Sequence, residues 1–407
     1  MHFTNRRRSR HHPDRRFERA PVRQWAESLL ALTASPGHTA AGMKEPESLQ
    51  QLRRTYVRQR GRDLSFFSGC DYFRLSSHPK ILAAVRVGLS RYGLNVAASR
   101  RTTGNHAVYL ELEKQLCRFY RAEAALVVST GYLTNLVVAQ ALAGNFSHAL
   151  VDEKSHVSPQ DGAQFFNCPV LKFKHRDVAD LKRTLQRCGR GARPVVLTDG
   201  MFSGDGSVAP LKAYLKLLPR DGLMIVDDAH GGGTIGARGG GAVEVEGVDR
   251  RRIVQCVTLS KALGCYGGAV LCSKQLREQI VLRSSLFIGS TPLPLPLAHA
   301  ATVALQVLKQ DGSLRRRLNR NAGLVKDSLR KAGMILPDYP GPAIPFPLAS
   351  AREKAQLHRA LLAAGIFPSF IEYLNGPAGG YFRFVISSEH TPAQLKNLVS
   401  VLTKFIR

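Results

Sequence analysis

The sequence predicts an α/β protein: a mostly parallel sheet covered on both faces, followed by a smaller C-terminal α+β region. Three observations predict it. Short, almost wholly apolar runs recur along the chain, as expected of strands buried on both faces. Segments with helical apolar spacing lie between many of them. Polar residues of chemical interest stand directly after several runs, and open α/β sheets bind ligands at the carboxyl ends of their strands.

Residues 1–45 are polar, basic and interrupted by Pro13, Pro21, Pro36 and Gly37, which predicts a disordered tail with room for a short helix over Val22–Leu30. Residues 46–63 are read as a helical segment, and a large domain is expected over 64–295. Tyr109, Leu112, Leu116 and Phe119 repeat at helical spacing. Ala125-Leu126-Val127-Val128 reads as a buried strand stopped at Ser129-Thr130-Gly131. Val195–Leu197, Leu223–Val226, Ile253–Val257 and Ala269–Leu271 read as further strands. A long helical segment, Leu297–Lys331, opens a second domain expected over 296–407, with a strand at Phe382–Ile386 and a final helix from about Pro392.

At 407 residues the chain can bury a substantial core, and 44% hydrophobic content is ordinary for a globular protein. No apolar run approaches the roughly 18–20 residues of a membrane span. The N-terminal arginines have no apolar stretch directly behind them, so no secretory signal is expected and the reading is cytoplasmic. The 7 cysteines form no C-x-x-C pair and are odd in number, which argues against a zinc site or a disulfide framework. Much of the net charge of +28 sits in the tail, at Arg6–Arg8, Arg10, Arg15, Arg16, Arg19 and Arg23. No zinc-finger or single-strand-binding motif accompanies it, so it favours attraction to an anionic small molecule over nucleic-acid binding.

Four segments after apolar runs carry the chemistry. Ser129-Thr130-Gly131-Tyr132 joins a strand to a helix, where backbone N–H groups suit a phosphate, although a plain turn looks the same. Val226-Asp227-Asp228-Ala229-His230-Gly231 places carboxylates at a strand end, consistent with a ligand, a helix cap or a metal. Val257-Thr258-Leu259-Ser260-Lys261-Ala262-Leu263-Gly264 places a lysine after a strand with hydroxyls just before it; a lone lysine there is ordinarily solvated. Asp152-Glu153-Lys154-Ser155-His156 is the fourth.

Together these segments resemble fold type I pyridoxal 5'-phosphate (PLP) enzymes and, more narrowly, the α-oxoamine synthases. The resemblance runs from about Leu64 to Ile406. It includes Ser76-Ser77-His78-Pro79, Thr103-Gly104-Asn105-His106, Leu110-Glu111-Leu112-Glu113, Gly131-Tyr132 with Asn135, and Phe202-Ser203-Gly204-Asp205-Gly206. It continues through the Asp227 and Lys261 segments, Ser290-Thr291-Pro292-Leu293-Pro294, and Arg383 with Ser387-Ser388-Glu389-His390-Thr391. Histidine three places after Asp227, where many aminotransferases have tyrosine, favours the narrower group.

The resemblance implies a fold type I PLP-transferase large domain, a homodimer with shared sites, and a PLP-dependent C-acyltransferase. The expected reaction condenses an amino acid with an acyl-CoA, or an acyl-carrier thioester, and releases CO2. In appearance the chain is most similar to members using L-alanine and pimeloyl-CoA in biotin biosynthesis; glycine or serine acyltransferases and PLP aminotransferases are the alternatives. Lys261 corresponds to the Schiff-base lysine and to the acid/base at the substrate Cα. Asp227 corresponds to the aspartate that keeps the pyridine nitrogen protonated. His156 corresponds to the imidazole stacked on the ring, and His230 and Ser203 to groups near the ring hydroxyl. Gly131, Tyr132 and Thr258 match phosphate-binding positions, and Thr291 one that reaches the phosphate from the second subunit. Arg383 matches the arginine that pairs with the amino-acid carboxylate.

The chain departs from the family in three places. Cys70-Asp71-Tyr72-Phe73-Arg74 replaces a common Asn-Asp-Tyr-Leu-Gly, Val96-Ala97-Ala98 replaces a Gly-rich run, and Asp199-Gly200 stands where a Glu is frequent. All three are expected near the substrate pocket.

Overall fold

The computed structural model of the chain describes residues 48–372 and 379–406. The expected tail over residues 1–45 and the helix over Val22–Leu30 lie outside the described residues.

Among the described residues, thirteen strands form three sheets. β1 (Gln50–Arg53), β2 (Tyr56–Gln59) and β3 (Arg62–Ser65) make a small antiparallel sheet. The main sheet contains β4 (Ala124–Val128), β5 (His148–Asp152), β6 (Val170–Phe173), β7 (Pro194–Asp199), β8 (Leu223–Asp227), β9 (Ile253–Thr258) and β10 (Gly268–Cys272). Its order is β4-β10-β9-β8-β7-β5-β6. β5, β6, β7, β8 and β9 pair in parallel, and β10 runs antiparallel to both of its neighbours, β4 and β9. β11 (Ala343–Phe346), β12 (Phe370–Ile371) and β13 (Tyr381–Val385) form the third sheet in the order β11-β13-β12.

Alternation along each strand splits the core into layers. Ala125 and Val127 of β4 face the same way as Val257 and Ala269, and pack with the helices Pro79–Tyr92, Ala107–Tyr120 and Leu295–Gln310. Leu126 and Val128 face the other way and pack with the helices Leu133–Ala141 and Lys274–Arg283. Strands β4, β7, β9 and β10 are buried at every position, which is why they read as continuous apolar runs. The third sheet has its own core: Ile344, Phe346, Phe382 and Phe384 pack on Val325, Leu329, Leu357, Leu361 and Leu398, and Phe67 joins them from the N-terminal side.

Two expectations are corrected. The segment 46–63 is not helical over its described residues, 48–63, which form strands β1, β2 and the first half of β3. Arg60 (φ 48°) and Gly61 (φ 75°) close the β2–β3 hairpin as a two-residue turn with both φ positive, the geometry that matches strand twist. Val57 and Leu64, paired across the hairpin, bury the apolar side. The helical segment Leu297–Lys331 is two helices, Leu295–Gln310 and Ser313–Lys331. Between them the Asp311 carboxylate accepts from the Ser313 N–H at 3.0 Å and starts the second helix. The first packs so closely on Pro79–Tyr92 that a Cβ at Gly88 would lie 2.8 Å from Pro296 Cα. A boundary at residue 296 therefore cuts into the helical layer of the main sheet. No helix among the described residues is long and apolar enough to cross a membrane.

Candidate active site

The carboxyl ends of β5, β7, β8 and β9 lie side by side, because these strands are parallel neighbours. Asp199 ends β7 in register with Asp227, which ends β8. The chain leaves β9 at Thr258 and turns through Lys261.

Asp227 is buried and held by two donors. Asn135 Nδ2 donates to its Oδ2 at 2.7 Å, and the Ala229 N–H donates to its Oδ1 at 3.1 Å. Asn135 also donates to Ser158 Oγ at 2.9 Å, so helix Leu133–Ala141 fixes the carboxylate from below. Lys261 Nζ lies 2.7 Å from His230 Nε2, and His230 Nδ1 lies 2.7 Å from the Tyr72 hydroxyl. Burial lowers Lys261 from its ordinary value against the pull of Cys70, Asp227 and Asp199, and Arg383 lowers it further. His230 is pushed well below its ordinary value by burial, then by Lys261, Arg383 and His156, and is therefore neutral.

His156 caps the helix Val157–Gln164, its Nδ1 accepting from the Ser158 N–H at 3.2 Å. Burial lowers it while Asp227 opposes the shift. The His156 N–H donates to Asp199 Oδ1 at 3.0 Å. Burial, and then the charge of Asp227, raise Asp199 well above the usual carboxylate range. One departure from the family thus sits in the site beside Asp227.

Gly131 meets Thr258 at the start of helix Leu133–Ala141. A Cβ at Gly131 would lie 2.7 Å from Thr258 Oγ1, so only glycine fits. Tyr132 is 40% exposed; its hydroxyl donates to Asp161, and its ring edge faces His156 at 6.4 Å. Arg383, on β13, is buried and donates from Nη1 to the Ser203 carbonyl at 3.2 Å, joining the third sheet to the loop after β7. It acts electrostatically on both Lys261 and His230. Thr291 is exposed in the stretch before Leu295 and lines a cleft with Ser129 and Arg100, apart from the Lys261 cluster.

The structure thus brings Lys261, His230, Asp227, His156, Arg383, Ser203, Gly131 and Thr258 to one end of the sheet. Sequence reasoning assigned no role to Asn135, which carries Asp227, or to Tyr72, which carries His230. Asn135 had a weak signal, an amide among the mainly apolar residues of its helix; Tyr72 had only its place in a family motif. Other motif residues are structural. Arg100 binds Glu113 at 2.5 Å and Asn105 at 2.8 Å, tying three family-like segments into one network. Two departures place side chains where the backbone is left-handed: Arg74 at φ 51° and Ala97 at φ 45°. Arg74 offsets the strain by donating to the Phe66 carbonyl at 2.8 Å.

The aminotransferase class I and II family matches residues 71–402. The 8-amino-7-oxononanoate synthase of Thioalkalivibrio sulfidiphilus is 33% identical over 350 residues, covering 85% of this chain and 89% of that protein. That of Trichlorobacter lovleyi is 33% identical over 363 residues, covering 88% and 93%. The serine palmitoyltransferase of S. paucimobilis superposes with a TM-score of 0.83 at 27% identity, over 94% of this chain and 96% of that one. With this geometry and these relatives, the chain belongs to the aminotransferase class I and II family and, within it, to the PLP-dependent α-oxoamine synthases.

Proposed function

We propose that the protein condenses an amino acid with an acyl thioester and releases CO2, with L-alanine and pimeloyl-CoA as the substrate pair. The observation that carries this reading is the convergence of Lys261, His230 and Asp227 at adjacent strand ends, with Arg383 brought in from the third sheet. The relatives named 8-amino-7-oxononanoate synthase support the choice of substrates.

The residues present fit PLP. Gly131 against Thr258 leaves a close-packed cradle at a helix N-terminus for the phosphate. Asp227 would hold the ring nitrogen protonated, its position set by Asn135. His156 would cover the ring, with His230 and Ser203 near its hydroxyl, and Lys261 would hold the group covalently. When bound, the cofactor supplies an electron sink for charge developing at the substrate Cα.

Arg383 pairs with the amino-acid carboxylate, and the Cα proton passes to Lys261 Nζ. Burial lowers Lys261 from its ordinary value, which suits it to returning that proton as well as taking it. The substrate Cα then bonds to the thioester carbonyl, the thiolate leaves, and the carboxylate departs as CO2. Exposed basic groups of this +28 chain favour approach of an anionic thioester. The Thr291 match supports a homodimer in which each site takes a hydroxyl from the other subunit.

A second reading, serine as the amino acid, is favoured by the likeness to serine palmitoyltransferase structures. The test is a panel of alanine, glycine and serine against acyl-CoAs of different length, reading free thiol and CO2. Equal amounts of both with alanine and pimeloyl-CoA are expected. Conversion of the cofactor to its pyridoxamine form by amino acid alone, reversed by a keto acid, would replace this reading with transamination.

A further inference from the structure

We propose that Tyr72 is a positioning residue whose hydroxyl decides which nitrogen of His230 carries the proton, so that Nε2 presents an N–H to the Lys261 amine. The inference rests on the reading that Lys261 is the lysine that captures the cofactor.

Tyr72 is 2% exposed, and its hydroxyl lies 2.7 Å from His230 Nδ1. His230 Nε2 lies 2.7 Å from Lys261 Nζ. The line is held at both ends. The Ser388 N–H donates to the Tyr72 carbonyl at 2.9 Å, and Asp71 next to it accepts from the Leu75 and Ser76 N–H groups at 2.9 and 3.0 Å. The Lys261 turn packs against the same loop, where a Cβ at Gly264 would lie 2.2 Å from the Ser76 nitrogen. These contacts fix the backbone of the two loops that carry Tyr72 and Lys261.

A neutral imidazole has one donor and one acceptor nitrogen. The line therefore has two polarities. In the first, the Tyr72 O–H donates to Nδ1, and the Nε2–H donates to a lone pair on Nζ, which only the neutral amine possesses. In the second, a Lys261 ammonium donates to Nε2, and the Nδ1–H donates to the Tyr72 oxygen. The groups facing Lys261 do not decide between them in one direction. Cys70, Asp227 and Asp199 favour the ammonium, whereas burial and Arg383 oppose it, and His156 faces the same space. Burying an ammonium without a dedicated anion is costly, so the first polarity prevails while Tyr72 supplies the donor.

The consequence is chemical. Capture of the cofactor aldehyde needs the lone pair of Nζ. That pair forms the C–N bond, and the aldehyde oxygen leaves as water with the two amine protons. A line that presents an N–H to Nζ keeps the amine in the competent form before the cofactor arrives.

The test uses the full chain freed of cofactor. Nitrogen NMR of His230 in the wild type is expected to show the proton on Nε2; a proton on Nδ1 overturns the proposal whatever the variants do. In Tyr72→Phe the proton is expected to redistribute toward Nδ1. The pH profile for cofactor uptake is expected to move up by about one unit, so that uptake near pH 7 slows roughly tenfold and recovers in alkali. An unchanged tautomer and profile in a folded Tyr72→Phe, with uptake still on Lys261, overturns this inference alone. Borohydride fixation of the cofactor on another lysine in the wild type overturns the functional reading and this inference with it.

Discussion

The ends of β5 and β8 look alike in the sequence and behave differently in the fold. Each is an apolar run closed by an aspartate, and both aspartates are buried. Asp152 is consumed locally: it accepts from the Lys154 N–H at 3.0 Å, the Arg176 N–H at 2.9 Å and His175 Nδ1 at 3.0 Å. Asp227 is held from one side by Asn135 and Ala229, and its charge is felt by His156, Asp199 and Lys261. A carboxylate at a strand end is thus no guide to chemistry; what its remaining field reaches is.

The sharpest way to break this comparison is to neutralise Asp227. Asp227→Asn keeps the acceptor for Asn135 but removes the charge, so kcat is expected to fall about a thousandfold or more with little change in melting temperature. A variant that melts early yet turns over normally would reverse the two roles. Asp152→Ala should do the opposite. Losing three hydrogen bonds to a buried carboxylate is expected to cost about 3 kcal/mol in denaturant unfolding, with kcat per folded molecule nearly unchanged. Arg383→Ala should raise the amino-acid KM by roughly ten- to a hundredfold, through loss of a charge-assisted pair, and leave the thioester KM alone.

Asp228 sharpens the comparison from the other face of β8. Its Oδ2 accepts from the Ala242 N–H at 2.8 Å and Gln255 Nε2 at 2.6 Å, and burial, its largest influence, raises it to about 7. The folded state therefore holds this proton where the unfolded chain has lost it, between about pH 4 and pH 7. The Asp228 contribution to stability is full below about pH 4 and is lost as pH rises toward about 7. Asp228→Asn keeps the acceptor and should flatten that fall in a melting series across the same window. The smallest expected effect is Ala97→Gly, which relieves a left-handed backbone and should stabilise by about 0.5–1 kcal/mol in urea unfolding.

Much of the main sheet was legible because its signals are local. Burial on both faces makes β4, β7, β8, β9 and β10 read as apolar runs, and the strand-to-loop transitions at Asp227, Thr258 and Gly131 mark the site without knowledge of the fold. β6 escaped notice because it is only partly buried and carries Lys172. β1, β2 and β3 did so because polar residues outnumber apolar ones there and only Arg60-Gly61 marks the turn.

By itself, then, the sequence determined which residues stand at strand ends, since pleat and helix pitch repeat over two to four residues. Only the tertiary structure decided which of them meet. Asn135 reaches Asp227 across 92 residues, Tyr72 reaches His230 across 158, and Arg383 reaches Ser203 across 180. The Asn135 and Asp227 partnership follows from the strand order, which sets β4 and its helix three places from β8, with β10 and β9 between them. Strand order is a property of long-range pairing, and no periodicity along the chain encodes it.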